Sequence, residues 1–207
     1  MKTLSKKNNL ACLILSVYLD NIDDSLASHK LQEAINLAKS LNINVLYSEF
    51  FKLRHPSPGN FLSTGHLLKF KEIIKEYEID LLIFNNDLTP IQQRNLEKIF
   101  KLKVIDRTHL ILEIFGKRAK THEGKLQVEL AHLIYQKSRL VKTWTHLERQ
   151  RGGFGFLGGP GETQLELDKR MLNQRIKKIK SLLIKVENTR SIQSKNRKNN
   201  HIVTASI

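Results

Sequence analysis

The second half of the chain contains two stretches of seven-residue apolar periodicity, one on each side of a glycine-rich segment. In the first stretch Lys137 fills one missing position, and the apolar members are Leu126, Leu130, Leu133, Leu140, Trp144 and Leu147. The second stretch follows the same rhythm with Leu165, Leu172, Ile176, Ile179, Leu183 and Val186. This spacing predicts two helices of roughly 30 residues, each about 45 Å long, with one apolar stripe apiece. The economical arrangement is a long antiparallel helical hairpin, a coiled coil in which the two stripes bury each other.

The segment between the two predicted helices, residues 151–162, holds six of the ten glycines of the chain. It also carries Phe154, Phe156 and Leu157. Glycine-rich loops can cradle phosphates, but a phosphate loop needs G-x-x-x-x-G-K-[ST] between a strand and a helix. The sequence contains no such motif, and Glu162 stands where an anion would approach. We therefore interpret the segment as the tip of the hairpin and not as a nucleotide site.

Positive charge is concentrated in the second half. Residues 1–110 hold 15 Lys and Arg against 12 Asp and Glu, a net of +3, whereas residues 111–207 hold 20 against 8, a net of +12. A segment of that charge attracts polyanions such as nucleic acid, an anionic membrane surface or an acidic partner. No apolar run approaches the roughly 18–20 residues that span a bilayer.

The first half alternates strand-like and helix-like segments. Strands are predicted at 10–19, 43–51, 79–84 and 102–106, and helices at 29–41, 66–77 and 89–100. Thr89 before Pro90 indicates a helix start, because it places a capping hydroxyl before a proline in the first turn. The alternation predicts an α/β fold, a small parallel sheet with covering helices. Such a sheet can bind a ligand at the carboxyl ends of its strands, but no G-x-G-x-x-G follows any strand, which favours a scaffold.

The N-terminal lysines and apolar run at 10–19 could imitate a signal peptide, but we interpret the run as the first core strand. The single cysteine, Cys12, lies in that strand and excludes an internal disulfide. The sequence therefore predicts a cytoplasmic protein. Trp144 lies on the apolar stripe and is predicted to be a core residue. His122, His132 and His146 lack partners at ligand spacing, so no metal site is expected.

Three stretches closely resemble the N-terminal region of HflX-type GTPases, a translation-factor-related family that acts on ribosomes. They read DLTPIQQRNLE, VIDRTHLILEIFGKRAKTHEGKLQVELAHLIY and RLVKTWTHLERQRGGFGFLGGPGETQLELDKR. The similarity covers about residues 60–190, and GGPGETQLE together with EGKLQVELA is far more specific than a lone glycine motif. The resemblance implies an α/β subdomain, a long helical hairpin and then a GTPase domain. It also implies ribosome splitting or rescue under stress.

The division expected from the sequence is an α/β subdomain at 1–110 and a helical hairpin at 111–190 with its tip at 151–162. Residues 191–207 follow as a polar linker ending in HIVTASI, which resembles the first strand of the family's GTPase domain. In the family, everything that binds GTP and Mg²⁺ lies beyond that strand. We therefore expect no cofactor, no metal and no enzymatic activity in the 207 residues given.

The partner that the resemblance implies is the large ribosomal subunit, at its 23S-type rRNA near the peptidyl-transferase centre. We expect a monomeric chain, located in the cytoplasm and associated with ribosomes. Aromatic side chains stack on unpaired bases and basic ones contact phosphates. The expected RNA-binding residues are Arg149, Arg151, Gly152, Gly153, Phe154, Gly155, Phe156, Leu157, Gly158, Gly159, Pro160, Gly161, Lys169 and Arg170.

Two other hypotheses stay open from the sequence. The chain could be a free-standing α/β protein that binds a nucleotide or another ligand, which binding by residues 1–110 alone would favour. Alternatively it could be a coiled-coil adaptor for a protein partner, which salt-insensitive binding after nuclease treatment would favour.

Overall fold

A computed structural model describes residues 10–18, 23–150 and 164–199, without the side chains of residues 141–150, 164–165 and 198. Strands and helices alternate up to residue 118, and two long helices follow. The elements are β1 (Ala11–Tyr18), α1 (Asp24–Ser40), β2 (Asn44–Lys52), α2 (Thr64–Glu76), β3 (Leu81–Phe84), α3 (Pro90–Phe100), β4 (Lys103–Asp106), α4 (Arg107–Arg118), α5 (His122–Gln150) and α6 (Gln164–Asn199).

The four strands form one parallel sheet in the order β2-β1-β3-β4, which confirms the predicted α/β fold. The central strands β1 and β3 are buried on both faces, and this is why they appear in the sequence as continuous apolar runs. Helices α2 and α3 cover one face and helices α1 and α4 cover the other.

Successive residues of β1 point to opposite faces of the sheet and enter two separate cores. Leu13 and Leu15 pack in the core with Phe70 of α2, while Cys12 and Ile14 pack in the core beneath α1. Full burial of a side chain as large as Phe70 stabilises the fold by about 1.5–3 kcal/mol. Cys12 is a core residue, as predicted, and burial raises the pKa of its thiol.

Polar caps fix where helices α3 and α4 begin. The predicted cap at Thr89 is confirmed as a capping box: its hydroxyl accepts from the backbone N–H of Gln92, whose side-chain oxygen accepts from the N–H of Thr89. Residues 107–118, for which the sequence pattern predicts no element, form α4. Its first turn is capped by Asp106, which accepts a hydrogen bond from the backbone N–H of His109 at 2.8 Å.

Helix α4 belongs structurally to the sheet. Leu110 and Ile114 lie in the core beneath α1, one on each side of the boundary expected at residue 110. Residues 119–121 then separate α4 from α5. The hydroxyl of Thr121 accepts from the N–H of Gly124 at 3.0 Å and caps the first turn of α5.

Helices α5 and α6 pack together as antiparallel neighbours. Glu123 pairs with Arg190 at 2.5 Å and Glu129 with Arg175, so contacts move toward the start of α6 as α5 advances. The shared apolar cluster comprises Leu126, Leu130, Leu133, Leu172, Ile176, Ile179, Leu182 and Leu183, nearly all from the predicted stripes. Helix α6 continues through Asn199, so the first part of the predicted linker is helical. The connection at 151–163 and residues 200–207 lie outside the described residues.

Candidate nucleic-acid interface

Helix α6 carries a large excess of positive charge. Its 36 residues include eleven Lys and Arg against three Asp and Glu, a net of +8. The buried side chains of Ile176 and Ile179 face α5, whereas the intervening Lys177 and Lys178 are exposed to solvent. Part of this charge therefore lies on the side of α6 that points away from the apolar seam, while Arg175 and Arg190 pair with α5 carboxylates beside it.

The exposed cations follow the long axis of the helix. At 100° per residue, four of them fall on the face opposite the seam: Arg170, Lys177, Lys185 and Lys195. Lys178 and Lys180 are exposed beside that face, and Lys169 is exposed beside the seam, seven residues before Ile176. We call these seven residues the basic stripe. From Arg170 to Lys195 it extends about 37 Å at about 1.5 Å per residue.

Only part of the RNA-binding set expected from the sequence can be located. Lys169 and Arg170 are exposed in the first turns of α6 and belong to the basic stripe. Arg149 lies in the last turn of α5, and its side chain is outside the described residues, as are residues 151–161. The other five members of the stripe were not among the RNA-binding residues expected from the sequence. Along the face opposite the seam, cations recur at steps of seven, eight and ten residues from Arg170 through Lys177 and Lys185 to Lys195, out of phase with the buried apolar positions.

The hairpin is attached to the α/β unit at the carboxyl end of β4. The Asp106 carboxylate, almost fully buried, accepts from the Tyr135 hydroxyl of α5 at 2.8 Å as well as from the His109 backbone. Its second oxygen accepts from the guanidinium of Arg139. Burial, and then the neighbouring Asp106 charge, raise the pKa of the Tyr135 hydroxyl well above its usual range.

Arg139 contacts three separate segments of the α/β unit. Besides Asp106, its guanidinium donates to the side-chain oxygen of Gln93 in α3 and to the carbonyl of Leu88 at 3.3 Å. The guanidinium also stacks on the Tyr135 ring, 4.2 Å from its centroid. Neither Asp106 nor Arg139 was among the residues singled out from the sequence.

A groove of about 570 Å³ lies between this contact and the start of α6. Its polar wall includes His109 and His132, whose ring centroids are 6.4 Å apart, and its apolar wall includes Met171 and Leu172. The imidazole of His109 pairs with Glu113 at 3.2 Å, and this hydrogen bond lowers the pKa of that carboxyl.

The carboxyl edge of the sheet is occupied by the chain's own polar groups. The strand order reverses direction between β1 and β3, the place where open parallel sheets usually bind ligands. There, Asn85 donates to Ser16 at 3.1 Å and accepts from Arg107 at 2.9 Å, and Arg107 also pairs with Glu33. Asn86 pairs with the backbone of Val17. These mutual contacts favour the scaffold interpretation of the α/β unit.

Within the residues that the structure describes, no helix is long and apolar enough to cross a membrane. The same part of the chain contains no group of three or more His, Cys, Asp or Glu side chains placed to hold a metal ion.

Two family descriptions match consecutive parts of the chain. Residues 28–116 match the N-terminal region of GTP-binding GTPases, and residues 118–197 match their middle region. The junction between the two matches coincides with the end of α4.

Several curated relatives are similar over most of the chain, and each is described as GTPase HflX. The relative from Magnetococcus marinus is 48% identical over 177 residues, which cover 86% of this chain and 41% of the relative. The relative from Escherichia coli is 45% identical over 86% of this chain and 41% of its own length. That from Caldanaerobacter subterraneus is 37% identical over 100% of this chain and 47% of the relative. The chain thus spans less than half the length of these relatives.

Solved structures show the same fold. A GTP-binding protein from Sulfolobus solfataricus in complex with GDP has a TM-score of 0.59 at 23% identity, over 86% of this chain and 46% of that protein. A crystal structure of the SsGBP and GDP complex gives a TM-score of 0.63 at 22% identity, over 88% of this chain and 46% of that one. The two family matches together with these relatives show that the chain belongs to the HflX-type GTPase family, corresponding to its N-terminal and middle regions.

Proposed function

We propose that this chain binds rRNA of the large ribosomal subunit through its helical hairpin. In the cell this contact would serve an HflX-type GTPase that splits stalled or idle ribosomes under stress, in the cytoplasm. The observation that carries the proposal is the basic stripe of α6, exposed along about 37 Å opposite the apolar seam.

A row of exposed cations along a helix suits a phosphate backbone. Each cation that neutralises a phosphate releases counterions, and this supplies affinity without reading sequence. An anionic membrane is a poorer partner, because membrane-surface helices insert an apolar face. The apolar face of α6 is instead packed against α5.

We expect the glycine-rich tip, residues 151–162, to position the hairpin on the RNA. Glycines allow the backbone to approach RNA closely and to adopt dihedral angles that other residues avoid. Phe154 and Phe156 would stack on unpaired bases, each contributing about 1–3 kcal/mol. The basic stripe would thus provide attraction, and residues 151–161 would provide placement near the peptidyl-transferase centre.

The α/β unit has a supporting role in this proposal, and GTP binding is not assigned to these residues. The polar groups at the switch point between β1 and β3 are engaged with one another. This disfavours a free-standing ligand-binding protein. The exposed positive charge of α6 favours a polyanion such as RNA over the protein partner of a coiled-coil adaptor.

The test is cosedimentation with isolated large ribosomal subunits across a series of salt concentrations. Lys177→Glu with Lys185→Glu removes two stripe cations and should weaken binding and lower the salt slope by about 2. The matched control, Lys71→Glu with Lys75→Glu, makes the same charge change on exposed positions of α2. Equal weakening by the two double variants would contradict a role for the stripe. Binding that resists both salt and ribonuclease would identify a protein partner instead.

A further inference from the structure

Helix α5 packs against α3 and α4, and its contacts there include one compact polar cluster. It consists of Asp106, Tyr135, Arg139 and Gln93, and we call it the junction cluster. Asp106 ends β4, Gln93 lies in α3, and the other two residues are one turn apart on α5. Both oxygens of the Asp106 carboxylate are used, one by the His109 backbone and Tyr135 and the other by Arg139.

A single contact would let α5 pivot about it, but Arg139 makes three. Its guanidinium reaches the carbonyl of Leu88, the side chain of Gln93 and the carboxylate of Asp106. Gln93 is itself held, because its side-chain amide donates to the carbonyl of Val104 in β4 at 2.7 Å. The planar guanidinium lies on the Tyr135 ring, so its orientation is also fixed.

The junction cluster lies about 22 Å along α5 from the end of that helix, so a small change of angle at the cluster moves the far end of the hairpin by a larger distance. From Tyr135 to Gln150 is 15 residues, or about 22 Å of helix at about 1.5 Å per residue. A tilt of about 10° at the junction would displace that end of α5 by about 4 Å, more than the length of a hydrogen bond.

We propose that the junction cluster sets the direction in which the hairpin projects from the α/β unit, with Arg139 and Tyr135 as its positioning residues. Buried ion pairs often add little stability compared with apolar side chains of similar size, but they can select one arrangement among several. The consequence for ribosome binding rests on the function proposed above. The statement about direction does not, and it is tested separately.

The primary measurement is the distance distribution between two spin labels, one on each unit. Lys75→Cys on α2 and Gln174→Cys on α6 are exposed sites, and the native Cys12 is fully buried. The parent chain should give one narrow distribution. Arg139→Met should broaden it at least twofold, because all three guanidinium contacts are lost.

The control is Arg175→Met, which also removes one positive charge and one carboxylate partner. Arg175 pairs with Glu129 between α5 and α6, away from the α/β unit. The Arg175→Met variant should give the same distance distribution as the parent chain. If Arg139→Met does not fold, Arg139→Lys retains a cation beside Asp106 but lacks the planar fork, and it should broaden the distribution as well. If a folded Arg139 variant gives a distance distribution as narrow as that of the parent, the proposal is overturned.

Cosedimentation with large ribosomal subunits then tests the consequence. Arg139→Met should weaken binding roughly tenfold more than Arg175→Met, about 1.4 kcal/mol. A parent that does not bind would refute the proposed function, while the distance measurement would still decide the junction proposal. Equal binding by the two variants, together with a broadened distribution, would support the cluster's role in setting direction and would refute the consequence for ribosome binding.

Discussion

The side-chain amide of Asn86 pairs with both backbone polar groups of Val17. Its oxygen accepts from the Val17 N–H at 2.9 Å, and its nitrogen donates to the Val17 carbonyl at 2.7 Å. Asn86 follows β3 and lies beside the end of β1, so its side chain continues the hydrogen bonding between the two strands past the last residue of β3.

We expect Asn86→Ala to lower the free energy of unfolding by about 1–3 kcal/mol, because the two Val17 backbone groups lose their partner in a part-buried site. Urea denaturation measures the change. Gln32→Ala is the control, since Gln32 bonds Asn36 on an exposed face of α1, and it should stay within about 0.5 kcal/mol of the parent. Equal effects from the two substitutions would show that the Asn86 contact contributes nothing specific.

The glycine-rich tip should contribute to ribosome binding through stacking and not through charge. We expect Phe154→Ala with Phe156→Ala to weaken cosedimentation with large ribosomal subunits while leaving the salt slope nearly unchanged, because stacking releases no counterions. Charge reversal at Lys169 and Arg170 should weaken binding and reduce the slope.

Bulk at the tip tests close approach independently of stacking. Gly153→Val with Gly159→Val should impair binding without loss of helix content, since the apolar seam of the hairpin lies elsewhere. Circular dichroism monitors the helices. Folded glycine and phenylalanine variants that bind like the parent would exclude the tip as the contact.

The chain should not bind GTP. The sequence contains no G-x-x-x-x-G-K-[ST] motif, and in such motifs the backbone amides and the lysine hold the phosphates. Titration with labelled GTP measures this, with full-length GTPase HflX from Escherichia coli as the comparison. Saturable micromolar binding by nucleotide-free chain would place a nucleotide site within these 207 residues.

Glu113 should make stability depend on pH. Its hydrogen bond to His109, followed by the charges of His109, His132 and Lys103, lowers the pKa of the carboxyl in the folded chain, although burial opposes this. A carboxyl with a lowered pKa contributes stability above its unfolded pKa of about 4, and that contribution disappears as pH falls through the folded value.

The variant Glu113→Gln isolates this contribution. Its free energy of unfolding, measured with urea, should lie below that of the parent near pH 7, and the difference should shrink toward about pH 3. A difference that is constant across this range would mean that the carboxyl has no lowered pKa in the folded chain.

Local patterns were sufficient to predict most elements of the fold. Strands β1 and β3 are buried on both faces, so nearly every residue in them is apolar and the sequence shows them as continuous apolar runs. The start of α3 follows from Thr89 and Pro90, and the packing of α5 on α6 follows from apolar residues at heptad spacing. In each case the determining interactions are local or repeat regularly along the chain.

Helix α4 and the end of α6 show where such patterns are weak. Helix α4 begins directly after β4 with no intervening loop. Asp106 is therefore both the last residue of the strand and the N-cap of the helix, and the sequence shows no separate signal for the helix start. The last part of α6 is polar, and its composition suggested a linker. Compositional signals for linkers and for solvated helices overlap, because both lack an apolar stripe.

The sequence by itself determined the α/β alternation, the two long helices with facing apolar stripes, and the concentration of positive charge in the second half. The strand order β2-β1-β3-β4 and the junction cluster were decided only by the tertiary structure. Asp106 and Arg139 are 33 positions apart, and the sequence around each residue does not indicate that the two form a pair. Their pairing arises because packing of the hairpin against α3 and α4 removes both charges from water together, and a buried charge needs a partner that only the assembled fold can supply.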